Sequence, residues 1–219
     1  MICSALKMLL RGTLLAMICF CGSGCEVLGT IAHIAVGDPP IPAQYVPPKA
    51  PTLVLVENFR SPGAVQLDGD MIAHLVCEEL KEKGKLDVID PDKLVPIREE
   101  DPAKFQKMSI PELGKAVGAK QVIYVDLIES DFSSDTSQSV VHATATARVR
   151  VVDVASTQTL WPASPPGGKE LSNKIDFDPV DTSHALSMRT DMLTQLSSQI
   201  SKLFYTWKAD NTDQETAGG

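Results

Sequence analysis

The sequence predicts an α/β (α+β) domain: a mixed sheet of about five strands with packing helices, in the order β-α-β-α-β-β-β-α. Three observations predict it. A continuous apolar run, Leu53–Val56, has the look of a strand buried on both faces. Two stretches, 71–85 and 185–207, carry apolar residues at helical spacing. The stretch 140–154, VVHATATARVRVVDV, alternates apolar and polar residues with the period of a half-buried strand.

The first strand is TLVLVENF, starting at Thr52. After the turn region RSPGAVQLDGD, the run MIAHLVCEELKEKGK places Ile72, Leu75, Val76 and Leu80 on one helix face, and Gly84 offers a stop. LDVID, residues 86–90, is a second short strand closed by Pro91, so strand, helix and strand form a βαβ-like unit. DPAKFQKM reads as a helical turn with Asp101 as cap and Pro102 in the first turn. Ser109 and Glu112 have capping-box spacing and open the helix IPELGKAVG, which Gly118 ends.

QVIYVDLIESDF is a long strand, followed by the polar tip SSDTSQS. In the next strand Val141, Ala143, Ala145, Ala147, Val149 and Val151 share one face, and His142, Thr144, Thr146, Arg148 and Arg150 the other. A turn at ASTQ leads to TLWPAS, making these three runs an antiparallel meander. PPGGKELSNKIDFDP reads as loop, with room for a short edge strand. The last helix is expected from about Asp181, with Ala185, Met188, Met192, Leu196, Ile200, Leu203 and Trp207 as one apolar stripe.

Ahead of the domain stands a leader. Lys7 and Arg11 are its only charges, GTLLAMICF is its apolar core, and Gly22-Ser23-Gly24-Cys25 follows. The apolar core is too short for a bilayer span of roughly 20 residues and has the plan of a secretory signal. The end of the leader resembles the lipobox of bacterial lipoproteins, departing from it at Gly22, where the pattern prefers Leu. That resemblance implies cleavage after residue 24 and lipid on Cys25. Cys19 and Cys21 fall inside the apolar core, where cysteine behaves as a small hydrophobe. His33 has no partner residue near it for a zinc site. Residues 1–24 are therefore read as signal peptide and 25–51 as lipidated cysteine and linker. The domain is 52–207, and 208–219 is a tail of disordered composition. The prolines at 39, 40, 42, 47, 48 and 51 fit a semi-rigid spacer or a coil packed along the domain.

Removing the leader leaves 18 basic residues against 28 acidic ones, a formal charge of −10. Nucleic-acid binders are usually basic, so that class is set aside. Cys25 and Cys77 remain, and no disulfide is expected between a lipid site and a helix-borne thiol.

Three stretches together carry a second resemblance: TLVLVENF with the helix and strand ending in LDVIDPDKL, IPELGKAVGAKQVIYVDLIES, and ATARVRVVDVASTQTLW. Over roughly residues 50–207 they resemble the periplasmic α/β domains of the TolB amino-terminal, penicillin-binding-protein activator (LpoB) and curli-secretion (CsgG) group. The resemblance implies a non-enzymatic domain of the cell envelope, often lipid-anchored, that binds other proteins. It brings no catalytic residues.

The residues agree with that absence. No catalytic, cofactor-binding or metal site is predicted, because G-x-S-x-G, P-loop and G-x-G-x-x-G patterns are missing and no two histidines stand at ligand spacing. Asp68-Gly69-Asp70 lacks the spacing of a calcium loop and is read as helix capping. Cys77 is read as a buried, inert thiol. His142, Arg148 and Arg150 form the candidate partner surface, with salt bridges to Asp126 or Glu129 as the alternative use of the arginines. The expected protein is a lipid-anchored, periplasm-facing envelope factor, at the outer rather than the inner membrane. It would bind another envelope protein, with no small-molecule substrate and no nucleic acid. Two rivals stand beside it: a CsgG-like secretion-channel component, since one strand reaches membrane-strand length, and a hydrolase or transferase with an unfamiliar site.

Overall fold

The computed structural model describes residues 39–57, 66–134, 141–177 and 185–209. The chain divides into Pro42–Trp207, which carries every element below, and a second unit made of residues 1–41 and 208–219. Among the described residues no helix is long and apolar enough to cross a membrane.

Strand β1 (Thr52–Glu57) pairs in parallel with β2 (Val88–Ile89) on one side and with β3 (Gln121–Ser134) on the other. β3 turns back antiparallel onto β4 (Val141–Asp153). The far edge of β4 is shared by two strands. β6 (Lys169–Phe177) runs along Val141–Val149, and the short β5 (Thr159–Trp161) takes Val151 and Val152. The sheet thus has six strands, in the order β2-β1-β3-β4-β5 with β6 beside β5 on β4. β6 corrects the expectation of a loop with a short edge strand, for it is nine residues long. Its inward position 173 holds an asparagine, and that polar residue broke the alternation that marks a strand in sequence. Asn173 is nevertheless buried, and its amide donates to the Met192 carbonyl at 3.4 Å and to Gln195 Oε1 at 3.1 Å.

The helices cover both faces. On one face lie α1 (Gln66–Glu82) and α5 (Ala185–Lys202). Ile72, Val76 and Leu80 of α1 and Met192, Leu193, Leu196 and Ile200 of α5 close over Val54, Ile123, Val125, Leu127, Ala145, Ala147, Val149 and Val151. These buried alanines and valines are the apolar face of β4 read from the sequence, and that stretch of it is domain core. The helical stripe expected through Trp207 ends earlier. Lys202 closes α5, and Leu203 and Phe204 enter a tight turn through bonds to the Ile200 and Ser201 carbonyls. Leu203 and Trp207 still pack on this core, but not as helix residues. The expected start near Asp181 lies outside the described residues.

The second face is half covered. A 3₁₀ turn (Pro91–Leu94), α2 (Val95–Glu100), α3 (Pro102–Phe105) and α4 (Ile110–Ala116) bury Leu53, Leu55, Val122 and Tyr124. The turn and α2 had no counterpart in the sequence reading; Pro91 and Pro96 each sit in a first turn, where a missing amide costs nothing. Asp101 accepts from the Lys104 amide at 2.9 Å, and Ser109 and Glu112 form the expected capping box. Residues 44–51 take the packed arrangement. The amides of Gln44 and Tyr45 donate to the Leu203 carbonyl, and Gln121 donates to the Pro48 carbonyl at 3.0 Å.

Candidate functional site

Beyond α2–α4 no helix among the described residues covers the second face of the sheet, and registry dictates what it shows. Side chains alternate along each strand, so in-register residues on neighbouring strands form rows. One row runs Glu57, Asp126, Arg148, Glu170 across β1, β3, β4 and β6. The row beside it holds Tyr124 opposite Arg150. Next come Glu129, Thr146 and Ser172, after a bulge between Leu127 and Glu129. Thr146 and Ser172 share a hydrogen bond of 3.1 Å.

The structure brings Arg148 and Arg150 onto this face as expected, but gives them different partners. Arg148 stands opposite Asp126, yet its Nη2 pairs with Glu170 Oε2 at 3.1 Å. The predicted strand partners give way because β6, read as loop, supplies a carboxylate on the other side. Arg150 lies over the Tyr124 ring, 4.8 Å from its centroid, and its buried Nε has no hydrogen-bond partner. His142 stands between Ser133 and Asp176 in register; its side chain lies outside the described residues. Cys25 lies outside them too.

Two site residues escaped the sequence reading, Glu57 and Tyr124. Tyr124 is buried, and burial with the neighbouring Glu57 carboxyl raises its hydroxyl above the ordinary range. It hydrogen-bonds Glu57. Desolvation pushes the Glu57 carboxyl up to about 7, Asp126 adds to the rise, and the Tyr124 bond and Arg150 oppose it. The signal was available: Leu53, Leu55 and Glu57 alternate, so a carboxyl ends an otherwise apolar strand face.

Glu57 also lines a cleft of about 130 Å³ at the carboxyl end of β1. Parallel β1 and β2 end on this side, where open α/β sheets place their ligands, while β3 runs on past them. Pro91, Val95 and Phe105 belong to its apolar wall, and Asp70, His74, Asp92 and Arg98 are its other charged or titratable lining residues. Arg98 meets Asp70 at 3.6 Å. His74 bonds the Asp70 carbonyl through Nδ1 at 2.7 Å and faces Asp92 through Nε2 at 3.1 Å, and both contacts raise its pKa. His74, Asp90 and Asp92 are the group among the described residues whose ligand atoms lie close enough to hold a metal ion, all within 4.8 Å. All three are exposed, and local bonds already account for their placement, since Asp90 caps the 3₁₀ turn by accepting from the Asp92 amide.

The remaining sequence candidates are structural. Asp68 lies in the first turn of α1, but it does not serve as the expected cap. It is buried and receives Arg189 of α5 in a two-pronged pair, with Ser130 of β3 as second partner. Cys77 is buried, its thiol 3.9 Å from the Ile89 carbonyl, and burial pushes that thiol up to about 12.

No family model and no curated protein matches the sequence. Solved structures do. Lipoprotein GNA1162 from Neisseria meningitidis aligns at 16% identity over 68% of this chain and 99% of its own, with a TM-score of 0.41. The hypothetical protein CT253 from Chlamydia trachomatis aligns at 14% identity over 71% and 96%, with a TM-score of 0.45. Uncharacterized lipoprotein B from Nitrosomonas europaea aligns at 12% identity over 74% and 84%, with a TM-score of 0.40. None of the three bears the name of the TolB, LpoB and CsgG group, and the likeness says nothing of the site.

Proposed function

We propose that this protein is a lipid-anchored factor of the cell envelope, facing the periplasm, that acts by binding another envelope protein and not by catalysis. The observation that carries the reading is the leader: two basic residues, a short apolar core, then Ser23-Gly24-Cys25. In this reading diacylglycerol on Cys25 holds the chain at the membrane, the outer one by preference. The linker presents the domain, and the uncovered sheet face around Arg148 and Arg150 receives the partner, with His142 farther along the same strand. That face supports the reading because it is rich in charge and left bare by the described helices on one side of an otherwise covered sheet. The channel alternative rests on strand length alone, since Ala145, Ala147, Val149 and Val151 pack in the domain core.

Anchoring and binding are tested separately. Cys25→Ser should abolish incorporation of a palmitate analogue while leaving the thermal unfolding of the domain unchanged. Acyl chains contribute about 0.8 kcal/mol per buried methylene, and without the cysteine there is no site for them. Equal labelling of both proteins would overturn the anchor. A photo-crosslinking residue at Thr146 or Ser172, in cells, should capture one envelope protein reproducibly; the absence of any such adduct would overturn the binding role.

A further inference from the structure

The cleft at the carboxyl end of β1 is too small for a cofactor, whose sites run to roughly 300–1,000 Å³. At about 130 Å³ it has room for one side chain. Its walls are apolar at Pro91, Val95 and Phe105 and mainly acidic at Glu57, Asp70 and Asp92, with His74 and Arg98 the basic residues among them. A long cationic side chain has the same division, an alkyl stem and a charged head. We infer that the cleft takes a lysine or arginine side chain of the protein partner, stem against Val95 and Phe105, head at Glu57. The inference deepens the binding role proposed above and rests on it.

The charges decide which carboxyl receives the head. Asp70 of α1 is met by Arg98 of α2 at 3.6 Å. Asp92 of the 3₁₀ turn is met by His74 of α1 at 3.1 Å. From β3, Asp126 stands in register with Glu57 and adds negative charge, while Tyr124 donates a hydrogen bond to it. Arg150 of β4 is held over the Tyr124 ring. Among the described residues Glu57 takes part in no ion pair; Asp126 repels its charged form and Arg150 partly offsets that repulsion. The raised pKa of Glu57 comes first from desolvation and then from Asp126; a cation would favour the ionised form and expel a proton on binding. Binding should therefore strengthen as pH rises through about 7, where Glu57 ionises. His74, held above its ordinary pKa by its bonds to the Asp70 carbonyl and Asp92, works in the same direction as it deprotonates.

The test uses the chain from Cys25 onward and acetylated, amidated trilysine as probe, with trialanine and triglutamate peptides beside it, in about 0.15 M salt to screen long-range attraction. NMR titration should place trilysine at Val95, Phe105 and Glu57, with affinity about tenfold higher at pH 8 than at pH 5.5. Glu57→Gln should lower the pH 8 affinity about tenfold, and the exposed Glu82→Gln should leave it unchanged. Val95→Trp, which fills the cleft and keeps the carboxyl, should abolish binding as well, so the result does not hang on one variant. Equal affinity of wild type and Glu57→Gln at pH 8, or shifts scattered away from the cleft, would overturn the inference. Loss of trilysine binding alongside a reproducible crosslink at Thr146 would remove the cleft and keep the binding role. Trilysine binding with no crosslinked partner would keep the cation site and remove the binding role proposed for the sheet face.

Discussion

Glu57 couples stability to pH. Its folded-state pKa of about 7 stands above the ordinary value of 4.5, so the folded protein holds this proton more tightly than the unfolded chain. The resulting stability is full below about pH 4.5 and is lost as pH rises through 7. Glu57→Gln should thus be more stable than wild type at pH 8 by on the order of 1–2 kcal/mol, seen as a higher unfolding temperature, and match it near pH 4.5. Thermal melts across that range check the sign; a Glu57→Gln protein weaker than wild type at pH 8 would show that the ionised carboxylate is stabilising. Part of this was legible: a carboxyl at the end of Leu53, Leu55, Glu57 was in plain sight. Its neighbours were not, because Asp126 and Tyr124 reach it only through the parallel pairing of β1 with β3.

Among the elements, α4 shows how closely local signals and packing agree. The capping box at Ser109 and Glu112 starts it, and Gly118, with φ +80°, ends it in a conformation that favours glycine. Gly114 in its middle lacks a side chain for a tertiary reason. A Cβ there would stand 2.8 Å from Val122 of β3 and 2.8 Å from Val154. Gly114→Ala gains helix propensity of about 1 kcal/mol but forces two buried contacts apart, at a cost of about 1–3 kcal/mol. The net change should be destabilising, read as a lower urea midpoint. A Gly114→Ala protein more stable than wild type would mean that α4 can move off the sheet freely. Strand β6 makes the converse point. Asn173 fits an inward position because Met192 and Gln195 of α5 supply its partners, and no local pattern announces that.

Across the whole molecule, Asp68 ties three elements together. Arg189 Nε and Nη2 reach its two oxygens at 3.1 and 2.5 Å, and the Ser130 hydroxyl donates at 3.1 Å. These residues come from α5, α1 and β3. Arg189→Ala should destabilise the domain by about 3–5 kcal/mol, because it strands a buried carboxylate. The double variant Asp68→Asn with Arg189→Met should recover much of that loss, since neither partner is then charged. Equal stabilities for single and double variants, by chemical unfolding, would place the energy in packing instead of charge.

The sequence by itself determined the α/β class, the alternation of β4, the helical faces of α1 and α5 and the caps of α3 and α4. Each depends on residues a few positions apart, where periodicity and local hydrogen bonding operate. The tertiary structure alone decided that β6 is a full strand, that Arg148 turns to Glu170, that Asp68 belongs to Arg189, and that Glu57 meets Tyr124 beside a cleft. Those pairs lie 22, 121 and 67 residues apart along the chain, each joining two different helices or strands. Such contacts depend on strand order and register, which are settled by burying both faces of the sheet at once.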